Sequence, residues 1–83
     1  MTIYIIENYY NEPNFKAYRT LEGAKLGLLE EYIDNCLPSM IKNIREGKEV
    51  EGLTNSIQED LIGILMHGFV EDFAYIHTCE LKE

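Results

Sequence analysis

Apolar residues recur every three to four positions from Thr20 to Leu37, the longest stretch of helical periodicity in the chain. An α-helix turns once every 3.6 residues, so this spacing places the apolar side chains on one side of it. They are Leu21, Ala24, Leu28, Leu29, Tyr32 and Cys36. Thr20 is suited to cap the first turn, and Pro38 marks the far end because the residue before a proline is disfavoured in helical conformation. The pattern therefore predicts a helix from Thr20 to Leu37.

The segment that follows Pro38 is a candidate for a short helix. Met40, Ile41 and Ile44 are apolar at helical spacing, and Gly47 is typical of the position just after a helix end. Two interpretations are open: a separate short helix, or a kinked continuation of the main helix.

A second main helix is predicted from Ser56 to Gly68. Ser56 and Glu59 match a capping box, in which the two side chains satisfy free amides of the first turn. Residues 48–55 are polar and contain a glycine, which favours a loop. The predicted buried stripe consists of Ile57, Leu61, Ile64 and Leu65, broadened by Ile62 and Met66.

Three strands complete the predicted fold. Thr2 to Glu7 is rich in β-branched and aromatic residues, and Asn14 to Arg19 alternates in the same way across a turn-forming connection, so the two predict an antiparallel hairpin. Asp72 to Leu81 also alternates and predicts a third strand, which can lie beside either of the others. We expect one α+β domain over residues 1–83, with a three-stranded, mainly antiparallel sheet and the helices on one face.

Two glycines interrupt the main helix, although glycine costs about 1 kcal/mol relative to alanine in a helix interior. Gly23 and Gly27 are one turn apart, which would let another backbone approach closely. The alternative is that tertiary packing simply tolerates them.

The chain is acidic, with fifteen acids, seven bases and a formal net charge of −8. No Lys or Arg occurs between Lys48 and Lys82. The acids of this base-free segment are Glu49, Glu51, Glu59, Asp60, Glu71, Asp72 and Glu80. Such a surface repels nucleic acid and anionic membranes and favours basic partners. It equally serves to keep a small protein in solution.

No catalytic or cofactor-binding motif is present, which favours a protein that is not an enzyme and needs no cofactor. His77 and Cys79 are two residues apart on a predicted strand and face the same way, and Cys36 and His67 could complete a zinc site. These last two are isolated, unlike the paired ligands of structural zinc sites, so a packed strand face is the favoured interpretation. The absence of a leader-like or membrane-spanning stretch predicts a cytoplasmic protein.

The placement of the segments IYIIE, AYRTLEGAK and CELKE resembles small acidic α+β proteins encoded by phages and prophages. Many isoleucines and asparagines, only two arginines and no tryptophan also resemble the usage of an AT-rich genome. The resemblance implies a phage-type inhibitor that binds a host protein, for which nucleic-acid mimics and anti-CRISPR proteins are examples. It carries over no target and no residue.

We therefore expect a binding protein whose acids oppose a basic, nucleic-acid-handling host protein, such as a defence component. The candidate partner-binding residues are Tyr9, Tyr10, Glu59, Asp60, Glu71 and Asp72. The two tyrosines, in or beside the hairpin loop, would act as aromatic anchors. The alternative is a small homodimeric module that binds a metabolite, nucleotide or metal, so both a monomer and a homodimer are open.

Overall fold

The computed structural model describes residues 1–8 and 16–82. Their order along the chain is two strands, three α-helices, a short π-helix and two further strands. These are β1 (Thr2–Asn8), β2 (Lys16–Tyr18), α1 (Leu21–Asn35), α2 (Leu37–Arg45), α3 (Val50–Ile62), the π-helix (Gly63–His67), β3 (Phe69–Val70) and β4 (Ala74–Glu80). The predicted α+β class is confirmed.

The sheet of the described residues has four strands in the order β2-β1-β4-β3, and all neighbours are antiparallel. The expected three-stranded sheet is therefore corrected to four strands by β3. β3 is only two residues long, too short for an alternating pattern to reveal it. The strand order left open by the sequence is settled as well, since β4 pairs with β1 along its whole length.

The hydrophobic core lies between α1, the π-helix and one face of the sheet. Its buried residues are Ile6, Leu28, Tyr32, Ile64, Val70, Phe73 and Ala74. α1 contacts β1, β2 and β4, whereas α2 contacts α1 and α3. The expectation that the main helices all lie on one sheet face is not confirmed by these contacts.

α1 begins as the sequence predicts, because the Thr20 side-chain oxygen accepts a hydrogen bond from the Gly23 amide at 3.0 Å. The helix ends at Asn35, and α2 follows after Cys36 alone. Pro38 thus lies in the first turn of α2, where its missing N–H is not needed. The short helix after the main one is confirmed as a separate element.

The prediction that the second main helix begins at Ser56 is wrong. α3 starts at Val50, so the segment expected to be a loop forms its first turns. The chain turns into this helix through Gly47 and Glu49, both at positive φ. No side chain caps the start of α3, so the sequence carries no capping signal there. The capping pattern at Ser56 lies inside the helix and therefore predicts the wrong start.

Gly27 is the small residue that the packing of α1 requires. A Cβ atom there would collide with the Tyr18 ring of β2, which lies across the helix. The glycine pair therefore admits the aromatic side chain of Tyr18, rather than the close approach of another backbone considered from the sequence.

Two further glycines, one at each end of the π-helix, allow the chain to turn from this helix into β3. Gly68 ends the helix in the left-handed conformation at φ 63°, as predicted, and its amide donates to the Ile64 carbonyl. A Cβ atom on Gly63 would lie 2.5 Å from the Phe69 carbonyl oxygen. The absence of a side chain at Gly63 thus lets β3 fold back along the helix that precedes it.

Candidate interaction surface

The register of the strands assigns every sheet residue to one of two faces. Residues that oppose Ile6, such as Ile76, share its face, and this face carries the buried Ile6, Val70 and Ala74. The other face, here called the open face, consists of Ile3, Ile5, Glu7, Ala17, Phe69, Tyr75, His77 and Cys79. All eight are half-buried or exposed. The sheet is therefore buried on one side and accessible on the other.

A polar cluster interrupts the open face. The Tyr75 hydroxyl donates to the Glu7 carboxylate at 2.6 Å, and His77 Nε2 lies 3.1 Å from the same oxygen. This cluster fixes the His77 ring beside Tyr75, with ring centroids 5.8 Å apart. The carboxylate thus has two partners on the neighbouring strand.

The zinc site considered from the sequence is not assembled in the described part of the chain. His77 and Cys79 do share a face, as their spacing predicts. Cys36, however, packs against the core at the junction of α1 and α2, away from that face. Among the described residues, no three His, Cys, Asp or Glu side chains are grouped so that they could hold a metal.

An exposed apolar cluster, here called the π-helix patch, lies where α3 passes into the π-helix. It consists of Ile62, Leu65 and Met66, whose relative exposures lie between 55% and 69%. Ile62 and Met66 are each two residues from the buried Ile64, so both point away from the core. The backbone of Phe69 also lies beside this helix, at Gly63, while its exposed side chain belongs to the open face.

The π-helix patch corrects the predicted buried stripe. Ile64 is fully buried and Leu61 packs against the core, as expected. Leu65 is instead 55% exposed. Successive residues of a π-helix are rotated about the helix axis by a smaller angle than those of an α-helix. The side of the helix that α-helical spacing predicts to be buried is therefore not the buried side across Gly63–His67. No signal in the sequence identifies this change of period.

Three of the candidate acids accompany the patch. Glu59 precedes Ile62 by three residues and is exposed on α3, while Glu71 and Asp72 are exposed in the turn just after β3. Within the described residues, none of these three carboxylates has a hydrogen-bond or ion-pair partner. They therefore leave negative charge available on residues close to the patch in the chain, here called the rim acids.

Asp60, a fourth candidate, has a structural partner. Its carboxylate accepts a hydrogen bond from the hydroxyl of the buried Tyr32 at 2.9 Å. Burial, followed by this hydrogen bond and the negative charge of Asp60, raises the pKa of the Tyr32 hydroxyl. Burial and then the same charge raise the pKa of the Cys36 thiol. Asp60 thus ties α3 to α1.

Tyr9 and Tyr10 are the remaining candidates, and Glu80 is a further acid of the base-free segment. Tyr9 and Tyr10 lie outside the described residues, so their proposed anchoring role stays a prediction. Glu80, at the end of β4, accepts a hydrogen bond from the Thr2 hydroxyl and lies 3.9 Å from the Met1 amino group. The unpaired acids near the patch are therefore Glu59, Glu71 and Asp72 in the described part of the chain.

Fold and surface together define a small acidic α+β protein with an apolar patch and an accessible sheet face. No protein-family model, curated protein or solved structure matches the chain. None of the helices in residues 1–8 and 16–82 combines the length and apolar composition needed to cross a bilayer.

Proposed function

We propose that this protein is a non-enzymatic binding protein that attaches to a basic protein through Glu59, Glu71 and Asp72. The observation that carries the proposal is that these three exposed acids have no partner among residues 1–8 and 16–82 and lie in a segment that contains no Lys or Arg. In line with its resemblance to phage-encoded proteins, the protein would act as an inhibitor that blocks a host protein in the cytoplasm. The target is a protein whose basic surface handles nucleic acid.

Two properties of the surface support this proposal. First, the three carboxylates are exposed and have no ion-pair partner among the described residues, so no ion pair seen there is lost when they meet a basic protein. Second, complementary charge accelerates encounter and disfavours wrong partners, whereas rim charges contribute less to the lifetime of a complex. Association should therefore weaken with salt, since a Debye length falls to about 8 Å at physiological ionic strength.

The test is affinity capture with the immobilised protein from bacterial lysate at about 50 mM and about 300 mM salt, read by quantitative mass spectrometry. The test variant is E59Q/E71Q/D72N. Asn at position 72 suits the positive φ of that residue. Asp60 is left intact because its substitution would break the bond to Tyr32. A basic protein captured by the wild type at low salt should be lost with the variant.

A matched control removes the same amount of charge elsewhere. The variant E22Q/E30Q/D34N neutralises three exposed acids of α1. Circular dichroism confirms that each variant is folded before capture is compared. If the control and the test variant lose the same proteins equally, the interaction depends on net charge alone and the proposed surface is wrong.

A second candidate function, a homodimeric module, is supported by the open face. Ile3 and Ile5 on β1 are only half-buried there, and stacking against another sheet would cover them. Sedimentation equilibrium of the wild type and of I3T/I5T distinguishes the two functions. A dimer that the substitutions dissociate favours the module, and a monomer at all concentrations excludes it.

A further inference from the structure

The π-helix patch stands out in the described part of the chain because three large apolar side chains are exposed on one side of a helical segment. Two lie on the π-helix itself, Leu65 and Met66, with Ile62 just before them. Other exposed apolar residues, such as Leu26 and Ile33 on α1, are two turns apart and are separated by the acidic Glu30. An apolar cluster with a charged rim is typical of an interaction site.

We propose that the π-helix patch is the docking site for a basic amphipathic helix of the partner. This inference rests on the proposed function and deepens it, since it names the chemical form of the partner segment. The apolar stripe of that helix would cover Ile62, Leu65 and Met66. Its flanking Lys and Arg side chains would meet the rim acids Glu59, Glu71 and Asp72.

Charge complementarity selects this occupant over a second copy of the chain. A symmetric contact through the patch would bring the same unpaired acids of both copies together, and each copy carries a net charge of −8. Like charges in such a contact repel. A basic helix instead neutralises the rim while its apolar face is removed from water.

The shape and chemistry of the patch also suit a helix. Ile62 and Met66 are one turn apart on the outer side of a helical segment, which forms a ridge that can pack into the groove of another helix. Met66, at 69%, is the most exposed large apolar residue described, and methionine adapts its shape to different apolar partners. π-helical segments are frequent at functional sites.

The probe for the test is a fluorescein-labelled peptide of about 18 residues, built from leucine and lysine so that it is amphipathic as a helix. A peptide of the same composition, scrambled to distribute leucine around the helix, provides the control. Binding to the full chain is measured by fluorescence anisotropy. We expect the amphipathic peptide to bind at least about tenfold more tightly than its scrambled isomer.

A pair of variants tests the location. L65S/M66S alters two exposed residues of the patch, whereas L26S/I33S alters two exposed residues of α1. Both variants exchange two exposed apolar side chains for serine, so their effects on folding should be small and similar, which urea unfolding verifies. L65S/M66S should weaken binding of the amphipathic peptide about tenfold or more, and L26S/I33S should leave it unchanged.

Several results would overturn the inference without touching the proposed function. These are equal binding of the two peptides, equal binding by L65S/M66S and the wild type, or binding of neither peptide. Dimerisation of the wild type that L65S/M66S abolishes would show that a second copy covers the patch. In each case the capture experiment with E59Q/E71Q/D72N still decides separately whether the rim acids bind a basic protein.

Discussion

Replacement of Gly63 by alanine tests the contact that positions β3 beside the π-helix. Gly63 has helical dihedral angles, φ −57° and ψ −44°, so alanine is compatible with its backbone. On helix propensity alone, the substitution should stabilise the protein by up to about 1 kcal/mol. The new Cβ atom, however, would lie 2.5 Å from the Phe69 carbonyl oxygen. Carbon and oxygen atoms normally approach only to about 3.3 Å.

The magnitude follows from these opposed effects. A backbone oxygen cannot rotate aside as the end of a side chain can, so relief requires β3 to move away from the helix. Overpacking of this kind costs about 1 to 3 kcal/mol, which outweighs the propensity gain at its upper end. We expect Gly63→Ala to lower the free energy of unfolding by up to about 2 kcal/mol.

Gly52→Ala is the matched control, because Gly52 lies in α3, which leads directly into the π-helix, and a Cβ atom there has no neighbour within 4 Å. It should raise stability by up to about 1 kcal/mol. Both variants are compared with the wild type by urea unfolding, followed by circular dichroism. If Gly63→Ala matches or exceeds the stability of Gly52→Ala, the approach of Phe69 to the helix is not a constraint and our account of β3 is refuted.

Two further predictions concern capping and titration. Thr20→Ala removes the oxygen that accepts a hydrogen bond from the Gly23 amide and should lower the free energy of unfolding, measured in urea, by about 1 kcal/mol. Thr54→Ala, inside α3, should change stability little. Equal losses in the two variants would contradict the capping role of Thr20. The pKa values of Cys36 and Tyr32 are raised in the folded chain, so the folded chain keeps these two protons at pH values where the unfolded chain has lost them. The contribution of the two groups to the free energy of unfolding is therefore complete below the unfolded pKa values. It decreases as the pH rises from the unfolded to the folded pKa values. The free energy of unfolding should therefore decline above about pH 9, by up to about 1.4 kcal/mol per pH unit for each group. The measurement compares its pH dependence in the wild type and in the double variant carrying C36A and Y32F. A decline in the wild type that is absent from the variant would confirm the assignment.

The sequence predicted those parts of the fold that local periodicity determines. α1 was located because its apolar residues repeat at 3.6-residue spacing and Thr20 caps its first turn. The start of α3 was missed because Ser56 imitates a capping residue inside the helix, whereas Val50 follows an uncapped Glu49. The order of the strands could not be predicted either, since pairing of β4 with β1 depends on contacts between distant parts of the chain.

The candidate surface was predictable only in part. The base-free run of acids is visible in the sequence, and Glu59, Glu71 and Asp72 are indeed exposed. The bond of Asp60 to Tyr32 has no sequence signal, because twenty-eight positions separate the two residues. Exposure of Leu65 depends on the change from α-helical to π-helical period, which hydrophobic patterning does not register.

The pairing of β1 with β4 constrains how this chain reaches its native state. The two strands are neighbours at the middle of the sheet, and their register joins Thr2 to Glu80 and Asn8 to Ala74. Nearly the whole polypeptide must form a closed loop before this ladder can assemble, and such distant pairings slow folding. During synthesis, β1 cannot pair with β4 until residues 74–80 have left the ribosome. Until then, the edge of β1 that pairs with β4 is available to other chains and to chaperones, even when β2 covers the opposite edge.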